Sequence, residues 1–213
     1  MVITYYGLSC FKIQSGDTNL VFDLPSKKSG LKAPRFHADI IIQSHGHAGH
    51  NGAEEFPKEK EFFFIDGPGE YEIKGVYIRG IKSYHDSSSG KKHGVNTVYV
   101  SRIENINLCF MGDYGEKELR SELKEELGVV DILFVPIGGE SVLDAEAARN
   151  LINQIEPAIV IPMHYPPAGG KGNALKTFLS EMGQKDVKPL EKFSVKKKDI
   201  GENKTQIVVL SPV

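Results

Sequence analysis

The sequence predicts a mixed α/β fold in which both halves of the chain share one core. Short β-branched and aromatic runs dominate the first half, whereas strands alternate with helices after residue 113. No linker rich in Pro, Gly or Ser separates the halves, and no repeat recurs at the spacing of a solenoid. We therefore expect a single domain over residues 1–213.

The first half consists of short strand-forming runs separated by glycine-containing turns, such as the one at Gly16. The run 38–44 contains three consecutive isoleucines, which is typical of a strand buried on both faces. The predicted strands cover residues 2–6, 10–14, 19–23, 38–44, 62–65, 71–73, 76–84, 97–103 and 106–111.

The second half shows helical spacing in three segments, with buried strands between them. Gly128 and Gly183 follow two of these segments, and glycine commonly ends a helix. We predict helices over 116–127, 143–155 and 174–182, and strands over 130–137, 158–163 and 206–210. The lysine run at 196–198 is predicted to be a solvent-exposed strand edge or turn.

Composition excludes several classes of protein. Hydrophobic residues make up 40% of the 213 residues and charged residues 25%, as in ordinary globular domains. A net charge of −2 provides no basic field for non-specific nucleic-acid binding, and no apolar run approaches the roughly 20 residues of a membrane span. The start of the chain lacks the pattern of a secretory signal, and Cys10 and Cys109 lie in apolar stretches. We expect a cytoplasmic protein with free thiols and no membrane partner.

Residues 44–51 contain three histidines, His45, His47 and His50, at a spacing that suits metal binding. Residues two apart in an extended loop point to the same side, so His45 and His47 can converge on one ion. His50 lies where a short helix can begin and can face a second position. Imidazole is a favoured zinc ligand. The alternative is a surface loop that happens to be rich in histidine.

Four residues that can bind a metal each follow a predicted apolar strand: His45, His85, Asp113 and His164. The carboxyl ends of strands are where open α/β folds place their sites. Taken singly, His85 or His164 has an ordinary structural role as a hydrogen-bonded side chain, and Asp113 can form an Asx turn. Their shared placement favours one metal site.

Several further motifs occur in a fixed order along nearly the whole chain. They are Val21-Phe22-Asp23, Ser44 to His50, Gly67-Pro68-Gly69-Glu70-Tyr71-Glu72, Tyr84-His85-Asp86, Gly112-Asp113, Pro136-Ile137-Gly138-Gly139 and Ile161-Pro162-Met163-His164-Tyr165. With this set the sequence resembles the metallo-β-lactamase superfamily of metallo-hydrolases. Within it, the sequence is similar to the branch of L-ascorbate-6-phosphate lactonase-like proteins.

The resemblance implies a four-layer αββα sandwich with metals at one edge of two packed sheets. It also implies a ligand set by position. A first metal would bind His45, His47 and His85, and a second metal would bind His50, Asp113 and His164, with Asp113 bridging. Asp23 would orient a ligand histidine from behind. The alternative for Asp23 is a carboxylate that caps the turn before Pro25.

The sequence departs from the family pattern at one ligand position. The family usually has His-x-His-x-Asp-His in this loop, and Gly49 stands at the aspartate position. Glycine cannot hold a metal or orient water, so we expect weaker binding of the second metal. A second frequent family histidine is replaced by Phe110, which we expect to pack in the core. A degenerate, non-catalytic metal-binding fold therefore remains an alternative.

The leading hypothesis from the sequence is a hydrolase with zinc-activated water, holding one or two ions, with manganese or iron as other choices. Asp113 would accept a hydrogen bond from the water. Asp86, beside His85, would replace part of the missing carboxylate, or would instead cap its own loop.

Basic loops near the predicted metals favour a small anionic substrate, such as a lactone or a phosphate compound. These loops contain Lys27, Lys28, Lys32 and Arg35, and then Lys91, Lys92 and His93. The glycine-rich stretch 166–173 leads to a helix whose amino end, with Lys171 and Asn173, can attract an anion. The alternative is that all of these are ordinary solvated loops. A metal-dependent phosphodiesterase or nuclease is a second hypothesis, although the balanced net charge disfavours nucleic acid. The oligomeric state stays open.

Overall fold

A computed structural model describes residues 1–31, 34–47, 49–56, 61–166, 172–201 and 204–213. These residues form two β-sheets and three α-helices. The strands are β1 (Val2–Gly7), β2 (Cys10–Ser15), β3 (Thr18–Phe22), β4 (Ile40–Ile42), β5 (Phe63–Ile65), β6 (Gly69–Ile73), β7 (Val76–Tyr84), β8 (Val95–Ile103), β9 (Ile106–Phe110), β10 (Ile132–Pro136), β11 (Ile159–Met163), β12 (Lys192–Ser194) and β13 (Gln206–Ile207). The helices are α1 (Ser121–Leu127), α2 (Ala145–Ile155) and α3 (Ala174–Glu181).

The first sheet has the strand order β12-β1-β2-β3-β4-β5, and the second has the order β13-β11-β10-β9-β8-β7-β6. In the first sheet, β1, β2 and β3 are successive antiparallel neighbours, and β3, β4 and β5 are successive parallel neighbours. In the second sheet, β6, β7, β8 and β9 are antiparallel neighbours, and β9, β10, β11 and β13 are parallel neighbours. Parallel neighbours need a crossover connection, and among the described residues α1 connects β9 to β10 and α2 connects β10 to β11.

The two sheets pack face to face through aromatic side chains. Phe22 of the first sheet stacks on Phe110 of the second with ring centroids 4.4 Å apart, and Phe11 meets Phe134 at 4.7 Å. All four rings are fully buried and belong to one hydrophobic core. The expected core position of Phe110 is confirmed. Cys10 and Cys109 are free and buried, as predicted.

Apolar residues also cover the outer faces of the sandwich. Leu123, Leu151 and Phe178, one from each helix, are buried in the main core. A smaller cluster on the first sheet places Phe56 and Ala53 over Ile41, beside the 3-10 helix Gly52–Glu55. The predicted two-sheet αββα class is confirmed, with a short 3-10 segment over the first sheet among the described residues. No helix in the described ranges has the length and hydrophobicity to span a bilayer.

Several local predictions differ from the structure, including the last predicted strand, 206–210, of which Gln206–Ile207 forms β13. Helix α1 begins at Ser121 and not at residue 116, because hydrogen bonds that involve side chains hold Glu116 and Glu118 outside the helix. The Glu116 carboxylate accepts from the Tyr84 amide and pairs with Arg120, and the Glu118 carbonyl accepts from Tyr114. Strand β12 was not expected from the pattern, since Lys192 and Ser194 are exposed in this three-residue strand. The lysine run beyond it forms the 3-10 helix Lys197–Asp199.

Candidate metal centre

The fold brings the predicted ligands together at one edge of the sandwich. His45 lies shortly after β4, and His85 and His164 directly follow β7 and β11. Asp113 lies shortly after β9, on the turn that begins at Gly112. Both sheets therefore contribute ligands, one through β4 and the other through three strands.

Four imidazoles surround a single carboxylate oxygen, Asp113 Oδ2. The Nε2 atoms of His85 and His164 each lie 3.1 Å from it. The Nε2 atom of His45 lies at 3.4 Å and that of His50 at 3.7 Å. Asp113 is thus placed between the two predicted ligand groups, as a bridging ligand needs to be.

His47 completes the first group but is held differently. Its ring centroid lies 4.8 Å from that of His45 and 4.7 Å from that of His85. Its Nε2 atom is 3.1 Å from the carbonyl oxygen of His93. A carbonyl only accepts hydrogen bonds, so Nε2 carries the hydrogen and Nδ1 keeps the lone pair for a metal.

The unpaired atoms at this site fit a cation. His45 Nε2 and Asp113 Oδ1 are buried and have no hydrogen-bond partner among the described residues. Buried polar atoms are nearly always paired, so two such atoms at one site indicate a missing partner. One ligand atom each from His45, His47 and His85 lies within 4.8 Å of the others, as do atoms of Asp23, His45, His50 and Asp113. This donor set of imidazoles and a carboxylate suits zinc.

The protonation of the site also suits metal binding. Burial lowers the pKa of His45 to about 3 and that of His50 to about 4, so both rings are neutral at pH 7. Although burial raises the pKa of Asp113, hydrogen bonds from His164 and His85 hold it well below its usual value. Burial lowers the pKa of those two histidines, but Asp113 raises it more. Neutral imidazoles and an ionised carboxylate are the forms that bind metals, so His45, His50 and Asp113 already have the required form, whereas a metal would displace a proton from His85 and from His164.

Asp23 supports two ligand histidines through serine hydroxyls. The Ser44 hydroxyl donates to Asp23 Oδ2 at 2.7 Å, so it accepts from Nδ1 of His45 at 2.9 Å. Ser9 hydrogen-bonds Asp23 and lies 2.9 Å from Nδ1 of His50. Each serine therefore fixes the hydrogen on Nδ1 and leaves Nε2 free. The structure places Asp23 behind the ligands, where the resemblance put it, and burial raises its pKa to about 7.

A buried asparagine holds the turn that carries Asp113. Asn96 Oδ1 accepts from the Asp113 amide at 3.0 Å, and Asn96 Nδ2 donates to the Met111 carbonyl at 2.9 Å. Gly112 has a φ of +58°, and a Cβ there would lie 2.5 Å from Asn96 Oδ1 and from Ser44 Cβ. Only glycine allows this close approach, which fixes where the Asp113 carboxylate points.

Two other site residues adopt left-handed backbone conformations. His164 has a φ of 55° and Asp23 a φ of 43°, each directly after a strand. Such conformations cost a non-glycine residue on the order of 1–3 kcal/mol, and they concentrate at functional sites. The His164 amide donates to the Leu8 carbonyl at 2.7 Å, which ties this turn to the loop of Ser9.

Gly49 leaves open space where the resemblance implies an aspartate. A Cβ added at Gly49 would meet no atom within 4 Å, and the backbone there does not need glycine. The position therefore tolerates a side chain sterically. Only His50, His164 and Asp113 are left for the second metal in the predicted ligand set.

Asp86 does not supply the missing carboxylate. Its Oδ1 accepts from the amides of Ser88 and Gly90, and its Oδ2 from those of Lys92 and His93, at 2.7–3.1 Å. Although desolvation raises the pKa of Asp86, these amides lower it to about 2. Both oxygens are occupied by the loop, which favours the loop-capping alternative over the expected catalytic role.

The predicted anion site at the glycine-rich stretch is described only in part. Lys171 lies outside the described residues, as does Lys32. Asn173 directly precedes α3, at the helix end where the sequence places an anion, and its side chain makes no capping hydrogen bond. Lys92 and His93, in the loop that follows His85, line a polar cavity of about 210 Å³ together with Lys117.

Sequence reasoning missed the contacts of four residues beside the predicted ligands, although His93 was named as part of a basic loop. Ser9, Ser44 and Asn96 are buried polar side chains, and His93 acts through its backbone carbonyl. Ser44 and His93 could have been suspected from their position beside ligand segments. Ser9 and Asn96 carry no such signal, because each meets the site only through the packing of distant segments.

Comparison with known proteins gives a consistent family. The Beta-lactamase superfamily domain family matches residues 2–164 of this chain, a range that contains the whole predicted ligand set. A UPF0173 metal-dependent hydrolase from Listeria innocua is 31% identical over 198 residues, covering 78% of this chain and 85% of the relative. A UPF0173 protein from Pyrococcus abyssi is 27% identical and covers 92% of this chain and 100% of the relative.

Solved structures show the same fold. A Thermotoga maritima protein, proposed to be a zinc-dependent hydrolase of the metallo-β-lactamase superfamily, matches with a TM-score of 0.78 at 28% identity. The match covers 99% of this chain and 98% of that protein. A metallo hydrolase from Ignicoccus hospitalis matches with a TM-score of 0.65 at 22% identity, covering 92% of this chain and 99% of that one.

The hydrogen bonds that link Asp23 through Ser44 to His45 give a testable prediction. Ser44→Ala removes the group that holds the His45 hydrogen on Nδ1, and we expect zinc affinity to fall about 10- to 100-fold, as for other groups that orient ligands. Competition with a chromophoric chelator measures this affinity. Ser101→Ala is the matched control, because Ser101 is a buried serine without a hydrogen-bond partner among the described residues. Equal zinc affinities for the two variants would show that Ser44 does not orient His45 for metal binding.

Proposed function

This chain belongs to the UPF0173 family of the β-lactamase superfamily, and on this premise we propose that it is a metal-dependent hydrolase, with zinc as the natural ion. The convergence of four histidine Nε2 atoms on Asp113 Oδ2 is the observation that carries the proposal. A surface loop that is merely rich in histidine would not be buried around one carboxylate. The names of the relatives from Listeria and Thermotoga agree with this assignment.

The residues divide into two ligand groups that share Asp113. His45, His47 and His85 would hold a first ion, and His50 and His164 a second. When bound, zinc lowers the pKa of water from about 15.7 to about 7 and polarises the bond under attack. Asp113 Oδ1 has no hydrogen-bond partner in the described part of the chain, so it is the atom that can accept a hydrogen bond from the attacking water. His47 is exposed and His164 is partly so, which opens the site on their side.

We further propose a small anionic substrate, a lactone or a phosphate-containing compound. The polar cavity lined by the loop that follows His85 has room for a small molecule, and Lys92 and Lys117 are its cationic residues. The carboxylates of Asp86, Glu140 and Asp144 line it as well, but Asp86 accepts four amides of its own loop and Asp144 accepts the Ala147 amide. The lysines are therefore the groups that can meet an anion there.

The first test combines metal content with hydrolysis. The purified protein should contain zinc and should hydrolyse at least one compound of a panel of lactones, phosphodiesters and β-lactams, with phosphorylated lactones preferred over neutral ones. The double variant His45→Ala/His47→Ala should lose the first ion and the activity, because two of its three histidine ligands are gone. Elemental analysis and product formation measure both.

A control and two outcomes decide this test. His37→Ala removes a half-exposed histidine that pairs with Asp39 before the start of β4, whereas His45 follows the end of that strand, and it should leave metal content unchanged. Unchanged zinc in the double variant would overturn the metal centre. Zinc binding without hydrolysis of any compound would favour the non-catalytic alternative, and strong, salt-sensitive RNA binding would favour the nuclease.

Gly49→Asp tests the missing carboxylate. The added side chain has room, so we expect the affinity for a second ion to rise roughly tenfold or more, with a parallel rise in the rate of hydrolysis. Gly49→Ala is the control for the backbone change and should leave both unchanged. A second ion bound no more tightly by the aspartate variant would show that position 49 does not face it.

A further inference from the structure

The connection between β7 and β8, residues 85–94, is organised around one carboxylate. Asp86 accepts four backbone N–H groups from its own loop, two at each oxygen. Oδ1 accepts the amides of Ser88 and Gly90, which come first along the loop, and Oδ2 accepts those of Lys92 and His93, which come later. The loop is closed further by the Gly94 amide, which donates to the Gly90 carbonyl at 3.0 Å.

Both ends of this loop reach the first ligand group. His85 stands at its start, and its Nε2 atom faces Asp113. His93 lies near its end, and its carbonyl oxygen is 3.1 Å from His47 Nε2. The amide of the same residue, His93, is bound by Asp86 at 2.8 Å. One carboxylate thus fixes the residue whose carbonyl holds His47.

His47 has more need of such support than the other ligands. His45 and His50 are buried and each has a serine at Nδ1, whereas His47 is exposed and has the His93 carbonyl as its hydrogen-bond acceptor. An exposed imidazole that is free to rotate binds metal less well than one held in a single orientation and tautomer.

We propose that Asp86 is a positioning residue for the metal centre, which holds the 86–94 loop in the shape that places the His93 carbonyl against His47 Nε2. It acts through the backbone amides of its own loop, and it sets which ring nitrogen of His47 faces the ion. The inference rests on the proposed metal-dependent function, but it concerns ligand orientation and not the reaction.

The test uses the full chain with Asp86→Asn and Asp86→Ala. Asparagine keeps one oxygen for two amides and loses the acceptor for the other two, so the loop stays closed on one side only. We expect the affinity for the first zinc ion to fall about 10- to 100-fold in both variants. Cobalt(II) substituted for zinc should show a changed absorption spectrum, which reports the coordination directly.

Nitrogen-15 NMR of the histidine rings supplies a readout that a loss of stability alone would not move. In the unmodified protein, His47 should carry its hydrogen on Nε2 and exchange it slowly, whereas His45 should carry its hydrogen on Nδ1. In Asp86→Asn the His47 Nε2–H signal should exchange faster or disappear, and the His45 signal should stay.

Asp144→Ala is the matched control. Asp144 also accepts a backbone amide, that of Ala147 at 2.9 Å, and lines the same cavity, but it does not hold His93. We expect it to lose stability without losing zinc affinity. Wild-type zinc affinity and an unchanged His47 signal in Asp86→Asn would overturn the inference, as would an equal loss of affinity in Asp144→Ala.

The outcomes separate this inference from the proposed function. Zinc binding that weakens in the Asp86 variants of a protein without hydrolytic activity supports the inference and contradicts the function. Hydrolysis and zinc affinity that are both retained in Asp86→Asn support the function and overturn the inference. An unmodified protein that binds no zinc contradicts both.

Discussion

A carboxylate buried among imidazoles is the constraint on which the rest of the site depends. Asp113 is almost fully buried, and a charge in such a place must be compensated by close donors or by a cation. His85 and His164 compensate one oxygen, whereas the other has no partner in the described part of the structure. The arrangement is costly for stability alone, and it is the arrangement that a metal centre requires.

Three buried polar side chains hold the residues of this centre in place. Asn96 fixes the backbone of the turn at Asp113, and Asp23 reaches His45 and His50 through two serines. Asp86 closes the loop that contacts His47. Each of these polar groups stabilises a loop at the end of a strand, so the rigid sheets determine where the ligands lie while the loops determine how they are turned.

The sequence predicted that these side chains converge, because their positions depend on strands, and strands leave a strong pattern. His45, His85, Asp113 and His164 each follow an apolar run, and such runs end at one edge of a sheet. The roles of Ser9 and Asn96 could not be predicted, since neither lies near a ligand along the chain. Asp86 was ambiguous, because its type and place fit both a catalytic and a capping carboxylate, and only the directions of the loop amides decide between them. The late start of α1 likewise depends on Glu116 binding the distant Tyr84 amide.

Anomalous diffraction at the zinc edge, from crystals of the zinc-loaded protein, tests the central claim most directly. The account predicts a peak at about 2.0–2.2 Å from His45 Nε2, His47 Nδ1 and His85 Nε2, with an Asp113 oxygen beside it. A second, weaker peak is expected between His50 and His164. Zinc bound only elsewhere on the surface, with the imidazoles still turned to Asp113, would contradict the account.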